Sequence, residues 1–196
     1  MSRGKSPRSA DEVQAALHEA ALAHLARYAA TSAGLERVLL RRLARWAREP
    51  DAIQSEPAAA RAAAKSVVAR LVAAGAVDDA AFAAARARRL ARTGNSRLRI
   101  AAHLARHGIT GTTLAAALPS DRTAELLAAL TLARRRHIGP FRAAPRPDPD
   151  TARRELAILA RAGFPAPVAK QALAMPRADA EERLAASRRA GAEPLV

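Results

Sequence analysis

Two stretches of this chain repeat each other, and this repetition restricts the possible folds more than any other feature of the sequence. The segment SRLRIAAHLARHGI, beginning at Ser96, aligns without gaps to TARRELAILARAGF, beginning at Thr151. In each copy we expect a hydroxyl residue to cap a helix, a leucine to face the core, an arginine to face outward and a glycine to end the helix. The same offsets from Ser32 reach Leu40 and Arg42, although the glycine is absent there. Repeats of this length predict consecutive helical units that stack on one another.

The residue composition favours helices over strands. Aromatic residues make up 3% of the chain, and its apolar residues are mainly Ala and Leu, which together with Arg are strong helix formers. The sequence therefore predicts an all-α fold of three tandem three-helix repeats in an elongated array. From apolar periodicity and turn residues, we expect helices over about 12–30, 33–48, 58–74, 80–92, 97–107, 112–118, 121–138, 151–162 and 165–175.

Turn and capping residues divide these helices into segments. Asp11 is expected to cap the first helix, and Asp78 with Asp79 to cap the fourth, which explains this acidic pair better than acid–base catalysis. For the last residues, disorder and a frayed amphipathic helix both stay open. The predicted organisation is a disordered tail over 1–10, helical repeats over 11–75, 76–119 and 120–176, a Pro-rich loop at 139–149 inside the third repeat, and a C-terminal tail over 177–196.

The charge balance indicates a polyanionic partner. Thirty-three Lys and Arg residues against 18 Asp and Glu residues give a formal net charge of +15 and a pI near 11.7. Between residues 80 and 120 there is no acidic residue, yet this stretch contains seven arginines. A field of this sign favours nucleic acid, another polyanion or an acidic protein surface.

The second predicted helix separates apolar and basic residues onto two faces. Leucines and Trp46 form an apolar stripe at helical spacing within residues 35–46, and arginines follow the same spacing on the opposite side. The fourth and fifth helices carry further arginines one or two turns apart, and phosphate contacts from such a face would depend strongly on salt. We predict a binding face formed by Arg37, Arg41, Arg45, Arg48, Arg88, Arg92, Arg97, Arg99 and Arg106.

Several other classes of function lack their sequence signals. The chain has no cysteine, which excludes disulfides and thiolate chemistry and fits the cytoplasm, where we expect the protein. No apolar region follows the basic N-terminus and no apolar run approaches about 18 residues, so we expect neither a signal peptide nor a membrane span. Phosphate-loop, dinucleotide-binding and serine-nucleophile motifs are absent. We therefore expect no catalytic residues and no cofactor.

Two histidines and three aromatic residues each admit a second interpretation. His103 and His107 have the spacing of a paired metal site, but the residues between them lack the glutamate of a zinc-protease helix, and no third ligand is evident. We interpret them as exposed histidines in a basic stripe and expect no metal. Trp46, Phe82 and Phe164 occupy apolar helical positions or follow a helix-ending glycine, so we assign them to the core rather than to base stacking.

The order and spacing of these residues resemble the RecX family. The most recognisable stretch is residues 75–109, GAVDDAAFAAARARRLARTGNSRLRIAAHLARHGI. A second match joins IGPF at 138–141 to LARAGF at 159–164, and ALAHLARY at 21–28 is similar to the family's first helix. The resemblance covers about residues 14–175. One departure is Arg86, where the family usually has an aromatic residue; an exposed Arg86 would make that surface more polar.

The resemblance implies a non-catalytic regulator of RecA recombinase. Family members lie along the groove of the RecA–DNA filament and modulate its ATPase, strand-exchange and co-protease activities, and inhibition is the expected direction. They have no catalytic residues to carry over. The implied partner is therefore the RecA filament, direct contact with single- or double-stranded DNA stays open, and we expect a monomer.

An alternative from a different class is a basic helical protein that binds duplex DNA or structured RNA by itself. The predicted helices at 97–107 and 112–118 could form a helix-turn-helix unit. However, the second of them is short and has no Arg, Lys, Asn or Gln to contact base edges. A third class, an enzyme, is disfavoured because no catalytic pattern is present.

Overall fold

The computed structural model describes residues 10–48, 57–143 and 147–190, and every regular element in these ranges is helical. The all-α class is therefore confirmed. Nine helices match the predicted ones in order, and a tenth follows them. They are α1 (Ala10–Leu25), α2 (Ser32–Trp46), α3 (Pro57–Ala73), α4 (Asp79–Arg92), α5 (Arg97–Arg106), α6 (Gly111–Ala117), α7 (Arg122–Arg136), α8 (Pro149–Arg161), α9 (Ala166–Ala174) and α10 (Arg177–Ala190), with a 3₁₀ turn at Gly139–Phe141.

The chain forms two compact units. The first unit contains residues 1–82 and 106–113, and the second contains residues 83–105 and 114–196. Within the described residues, no helix is both long enough and apolar enough to cross a membrane.

The core of the first unit is built by helices α1, α2 and α3. Leu17 of α1 and Leu39 of α2 are fully buried, and Val67 of α3 packs into the same cluster. Each of these residues lies on an apolar stripe with a helical period, and this stripe is the side that its helix turns toward the core. Trp46 lies partly buried at the edge of this cluster, as predicted, and the guanidinium of Arg42 lies 5.1 Å from its ring centroid.

The core of the second unit is built mainly by α7, α8, α9 and α10. Leu130 and Leu159 are fully buried there, and Phe164 is buried as predicted. The residues that α4 buries are small, since they are Ala83 and Ala87. An alanine face lets neighbouring backbones approach closely but buries little area per residue.

Helix α10 occupies most of the predicted C-terminal tail, for which an amphipathic helix was one of the two alternatives. Residues 177–190 are helical, and Ala180 and Leu184 are buried in the core of the second unit. These two residues are one helical turn apart, so a single apolar edge is enough to hold a helix that is otherwise strongly polar. Of the predicted tail, residues 191–196 lie outside the described residues, as do residues 1–9 of the predicted N-terminal tail.

Helix α1 ends at Leu25, five residues before the predicted end. Leu17 and Ala21 are buried as expected, but Tyr28 is 62% exposed and does not continue the stripe. The chain must be extended at Thr31 to cap α2, so the helix stops before it. Asp11 lies inside the first turn of α1 rather than at its cap.

Helix α8 begins before the predicted residue 151. Its N-cap is Asp148, whose carboxylate accepts hydrogen bonds from the backbone N–H groups of Asp150 and Thr151. Thr151 is therefore not the capping residue. Pro149 occupies the first turn, where a missing N–H costs nothing, and the predicted Pro-rich loop also contains the 3₁₀ turn.

A joint in the first unit connects α2 to the turn after α5. The hydroxyl Oγ1 of Thr31, the N-cap of α2, accepts from Gly34 N at 3.0 Å and donates to the carbonyl oxygen of His107 at 2.6 Å. The carboxylate of Asp79 accepts from the backbone N–H and the hydroxyl of Ser32. The cap is thus Thr31 rather than Ser32, and the fully buried leucine is Leu39 rather than Leu40.

An equivalent joint in the second unit connects α5 to the turn after α8. Ser96 Oγ, fully buried, accepts from Arg99 N at 3.3 Å and donates to the carbonyl oxygen of Ala162 at 2.6 Å. Glu125 of α7 accepts from the backbone N–H of Arg97 at 2.9 Å. In both joints a capping hydroxyl binds the carbonyl that precedes a helix-ending glycine, and a carboxylate binds the next N–H group.

Both joints require glycine. A Cβ added at Gly108 would lie 2.3 Å from the Cβ of Ala33, and one added at Gly163 would lie 2.8 Å from Ser96 Oγ. Both glycines also have positive φ, +87° and +84°, which other residues adopt only at a cost. The glycine shared by the sequence repeats is thus explained by close contact with the N-terminal end of an earlier helix, at Ala33 in the first joint and at Ser96 in the second.

Candidate interaction surface

The predicted arginine face of α2 is solvent exposed. Arg37, Arg41 and Arg45 follow one another at intervals of one turn, and Arg48 lies in the turn after the helix; all four are exposed. The face exists because α2 buries Leu35 and Leu39 on its opposite side. Apolar packing therefore determines the orientation of the basic side.

The four arginines are not equally available. The Nη2 atom of Arg37 donates to the carbonyl oxygen of Arg106 at 3.4 Å, which ties this side chain to the joint of the first unit. Among the described residues, Arg41 and Arg45 make no side-chain hydrogen bond or ion pair. Arg41 and Arg45 are therefore the residues of this face best placed to bind a partner.

Helices α4 and α5 carry the other predicted residues. Arg88 and Arg92 are exposed and one turn apart on α4. Arg97 is exposed, but its Nη1 donates to the carbonyl oxygen of Pro119, and Nη2 of Arg99 donates to the carbonyl oxygen of Arg161 at 3.3 Å. Arg106, in the first unit, is exposed at the end of α5. Arg97 and Arg99 thus have a structural contact that the sequence pattern did not reveal.

Burial changes the acidity of the carboxyl group in the second joint. Glu125 is 8% exposed, and burial raises its pKa above the usual value of 4.5, although the hydrogen bond from the Arg97 N–H and the positive charge of Arg97 oppose the shift. Sequence reasoning missed this residue, and it assigned Asp79 to capping rather than to the contact with Ser32. Their signal was weak, because each is simply an acidic residue in the first turn of a helix.

The histidines take part in packing contacts. Nε of Arg86 donates to Nε2 of His103 at 2.9 Å, so Arg86 is partly buried rather than exposed. In the first unit, the rings of Phe82 and His107 lie 5.6 Å apart. Both histidines are half-buried, which corrects the prediction that they are exposed. Within the described ranges, no group of three His, Cys, Asp or Glu residues has a metal-binding arrangement.

The second unit contains a cleft of about 810 Å³ beside the 3₁₀ turn. Its floor holds an ion pair between Arg142 and the buried carboxylate of Glu155, which also accepts from the Gly139 N–H at 3.2 Å. Leu156 and Leu173 form apolar walls. Both carboxylate oxygens of Glu155 accept hydrogen bonds from residues of the 3₁₀ turn or the residue after it. The carboxylate therefore holds this turn against α8.

Comparison with known proteins gives consistent results. Residues 78–118 match the family model described as RecX, second three-helix domain. A regulatory protein RecX from Myxococcus xanthus is 38% identical over 160 residues, which cover 80% of this chain and 83% of that protein. A regulatory protein RecX from Agrobacterium fabrum is 36% identical over 111 residues, covering 56% of this chain and 58% of that protein. A crystal structure of regulatory protein RecX has a TM-score of 0.63 at 19% identity, over 83% of this chain and 72% of that chain.

The helices and their joints define an all-helical repeat protein with an arginine-rich surface. Within this class, the match to the Myxococcus xanthus protein extends over most of both chains and is therefore sufficient to assign a family. The chain belongs to the RecX family of regulatory proteins.

Proposed function

We propose that this protein is a non-catalytic regulator that binds the RecA–DNA filament and inhibits its ATPase, strand-exchange and co-protease activities. The observation that carries the proposal is the exposed arginine face of α2, in particular Arg41 and Arg45. Membership of the RecX family supplies the expectation of RecA as the partner.

The chemistry of this face suits a nucleoprotein filament. Such a filament presents phosphates and acidic side chains, and the planar guanidinium group of arginine binds both in a bidentate manner. Arg41 and Arg45 are one helical turn apart, so one continuous anionic surface can contact both side chains. Contacts of this type weaken as the salt concentration rises.

The non-catalytic part of the proposal rests on the relatives, which are named regulatory proteins.

The test is a RecA ATPase assay on single-stranded DNA with increasing amounts of this protein. We expect the ATP hydrolysis rate to fall, and we expect the double variant Arg41→Glu/Arg45→Glu to require at least about tenfold more protein for the same effect, because charge reversal replaces attraction by repulsion. Arg99 is a poorer choice, since its reversal would also break the bond to the Arg161 carbonyl.

A matched control is Arg61→Glu/Lys65→Glu, which reverses two exposed basic residues one turn apart on α3. This variant has the same net charge as the test variant and should retain the effect on RecA. An unchanged ATPase rate with the native protein at low salt would exclude the proposed function, and equal losses in both double variants would exclude the α2 face.

A further inference from the structure

A basic groove in the second unit lies between helices α4, α7 and α10. It encloses about 280 Å³, and one arginine from each helix lines it: Arg92 of α4, Arg134 of α7 and Arg188 of α10. The rest of its lining consists of small or apolar side chains and of two residues with hydroxyl groups. Only Arg92 belongs to the binding face predicted from the sequence.

Local packing brings the ends of α4 and α7 together. Nη1 of Arg135 donates to the carbonyl oxygen of Thr93 at 2.8 Å. A Cβ added at Gly94 would lie 2.9 Å from the backbone nitrogen of Leu132, so the turn after α4 lies directly against the α7 backbone. The position of Arg92 relative to α7 is therefore set by two independent contacts.

Helix α10, which forms the third side of the groove, is held in place by a buried side chain. Leu184 of α10 is 5% exposed and packs into the core of the second unit. Arg188 lies one turn further along α10, so it must emerge on the same side of the helix as Leu184. The groove is thus formed by three elements with packed positions rather than by loops.

The three guanidinium groups lack a charge partner in the part of the chain that the structure describes. The ion pairs found there involve Arg142, Arg153 and Arg177. Arg92, Arg134 and Arg188 each lie in the last turn of a helix, where the helix dipole favours a cation. The helix dipole explains why an arginine is favourable at each of these three helix ends. A helix end carries only a partial negative charge, however, so the three positive charges around the groove still repel one another.

We propose that this groove binds the phosphate backbone of single-stranded DNA directly, without RecA. A single strand carries negative charge along its whole length, which matches arginines contributed by three different helices. The groove encloses only about 280 Å³, so a flexible strand can adapt to it, whereas a duplex presents its phosphates on a rigid convex surface. Among the residues that the structure describes, no aromatic side chain lines the groove, so we expect binding without base stacking and without sequence preference.

The test uses the full-length protein and a fluorescein-labelled oligothymidylate, with binding measured by fluorescence anisotropy across a series of salt concentrations. The variant is Arg92→Gln/Arg134→Gln/Arg188→Gln. On single strands each lost phosphate contact reduces the slope of log affinity against log salt by about 0.7, so the triple variant should lose about 2 from the slope. The affinity at low salt should fall by at least about tenfold.

The matched control is Arg27→Gln/Arg61→Gln/Arg154→Gln, which removes the same three charges from exposed positions outside the groove. We expect it to change the slope by less than about 1. Because Arg134 is partly buried, circular dichroism should verify the fold, and Arg92→Gln/Arg188→Gln provides a second variant at two exposed positions, with an expected loss of about 1.4.

Three results would overturn the proposal: no binding of the native protein to the oligonucleotide at low salt, equal slopes in the test and control variants, or a loss confined to duplex DNA. A groove variant that binds the oligonucleotide normally but no longer sediments with RecA filaments would assign the groove to an acidic protein surface instead. The RecA ATPase assay is independent of this measurement, so either proposal can fail without the other.

Discussion

At the level of single residues, the buried hydroxyl of Ser96 makes two hydrogen bonds that hold different helices. It caps α5 by accepting from Arg99 N and, as donor, binds the carbonyl oxygen of Ala162. If this hydroxyl were removed, the helix would lose its cap, and the buried carbonyl would lose its hydrogen-bond donor without regaining contact with water. Thr31 makes the same pair of bonds in the first unit, so the arrangement is a property of the repeat.

We expect Ser96→Ala to lower the free energy of unfolding by about 1–3 kcal/mol, because it removes the cap and leaves the Ala162 carbonyl without its donor. Urea denaturation followed by circular dichroism measures the change. Ser66→Ala, at an exposed position on α3, is the control and should remain within about 0.5 kcal/mol of the native protein. Equal stability of the two variants would contradict the role of Ser96.

Glu125 is expected to make stability depend on pH. Its pKa is raised in the folded state, so the folded protein binds more protons than the unfolded chain above the usual glutamate pKa. Stability contributed by the protonated carboxyl is therefore present at low pH and lost as the pH rises through the folded pKa. In Glu125→Gln this decline should disappear, while Gln Oε1 still accepts from Arg97 N.

The measurement is the melting temperature of both proteins between about pH 4 and pH 7. We expect the difference, variant minus native, to become more positive as the pH rises. Glu125→Ala separates charge from hydrogen bonding, because it removes the acceptor as well and should be less stable than Glu125→Gln at every pH. A difference that becomes more negative toward neutral pH would mean that the carboxylate stabilises the fold.

At the scale of helices, the ends are more informative than the interiors. The periodicity within α2 and α5 predicts which face is buried, but the glycine after α5 or α8 determines how closely another element can approach. Gly163 combines a positive φ with a contact to the capping residue of α5, whereas Gly75 has a positive φ with no atom within 4 Å of an added Cβ. The two glycines therefore separate backbone strain from steric contact.

Gly163→Ala should destabilise the protein more than Gly75→Ala. Both variants place a Cβ at positive φ, which costs about 1–2 kcal/mol, but only the first forces Ser96 Oγ and Leu98 to move. We expect an additional loss of about 1–3 kcal/mol for Gly163→Ala, as for overpacking in a core. Denaturant unfolding of the two variants gives the difference, and equal losses would show that Ser96 and Leu98 adjust freely.

At the scale of the whole molecule, charge is the dominant property. A net charge of +15 on 196 residues produces self-repulsion that opposes the compact state. The ion pairs in the described part of the chain include two at the surface, Arg153–Asp150 and Arg177–Glu181, and surface pairs contribute little. The charge therefore opposes folding more than it supports it.

Adding sodium chloride from about 10 mM to about 200 mM should raise the melting temperature, because the screening length falls to about 8 Å or less and the repulsion between arginines weakens. Differential scanning fluorimetry measures this directly. An uncharged osmolyte at the same osmolarity controls for general solvent effects. A melting temperature that falls with salt would show that the few ion pairs contribute more than the repulsion costs.

The arginine positions were predictable in part. All nine candidate residues are exposed, and for those on α2, α4 and α5 this follows from amphipathicity, since a helix that buries one side must expose the opposite side. Their individual contacts did not follow, because Arg97 binds a carbonyl 22 residues away and Arg99 one 62 residues away. The groove of Arg92, Arg134 and Arg188 was likewise invisible, because its three helices are distant in sequence.

Local residue patterns predicted nine helices in their observed order and the buried side of most of them, because these features depend on residues within two turns of one another. They also marked the turn glycines, although the reason for them lies elsewhere in the chain. The hydrogen bonds from Thr31 and Ser96 to the carbonyls before those glycines, and the packing of Leu184 into the core of the second unit, could not be predicted in this way. These contacts join residues far apart in sequence, so no local pattern specifies them.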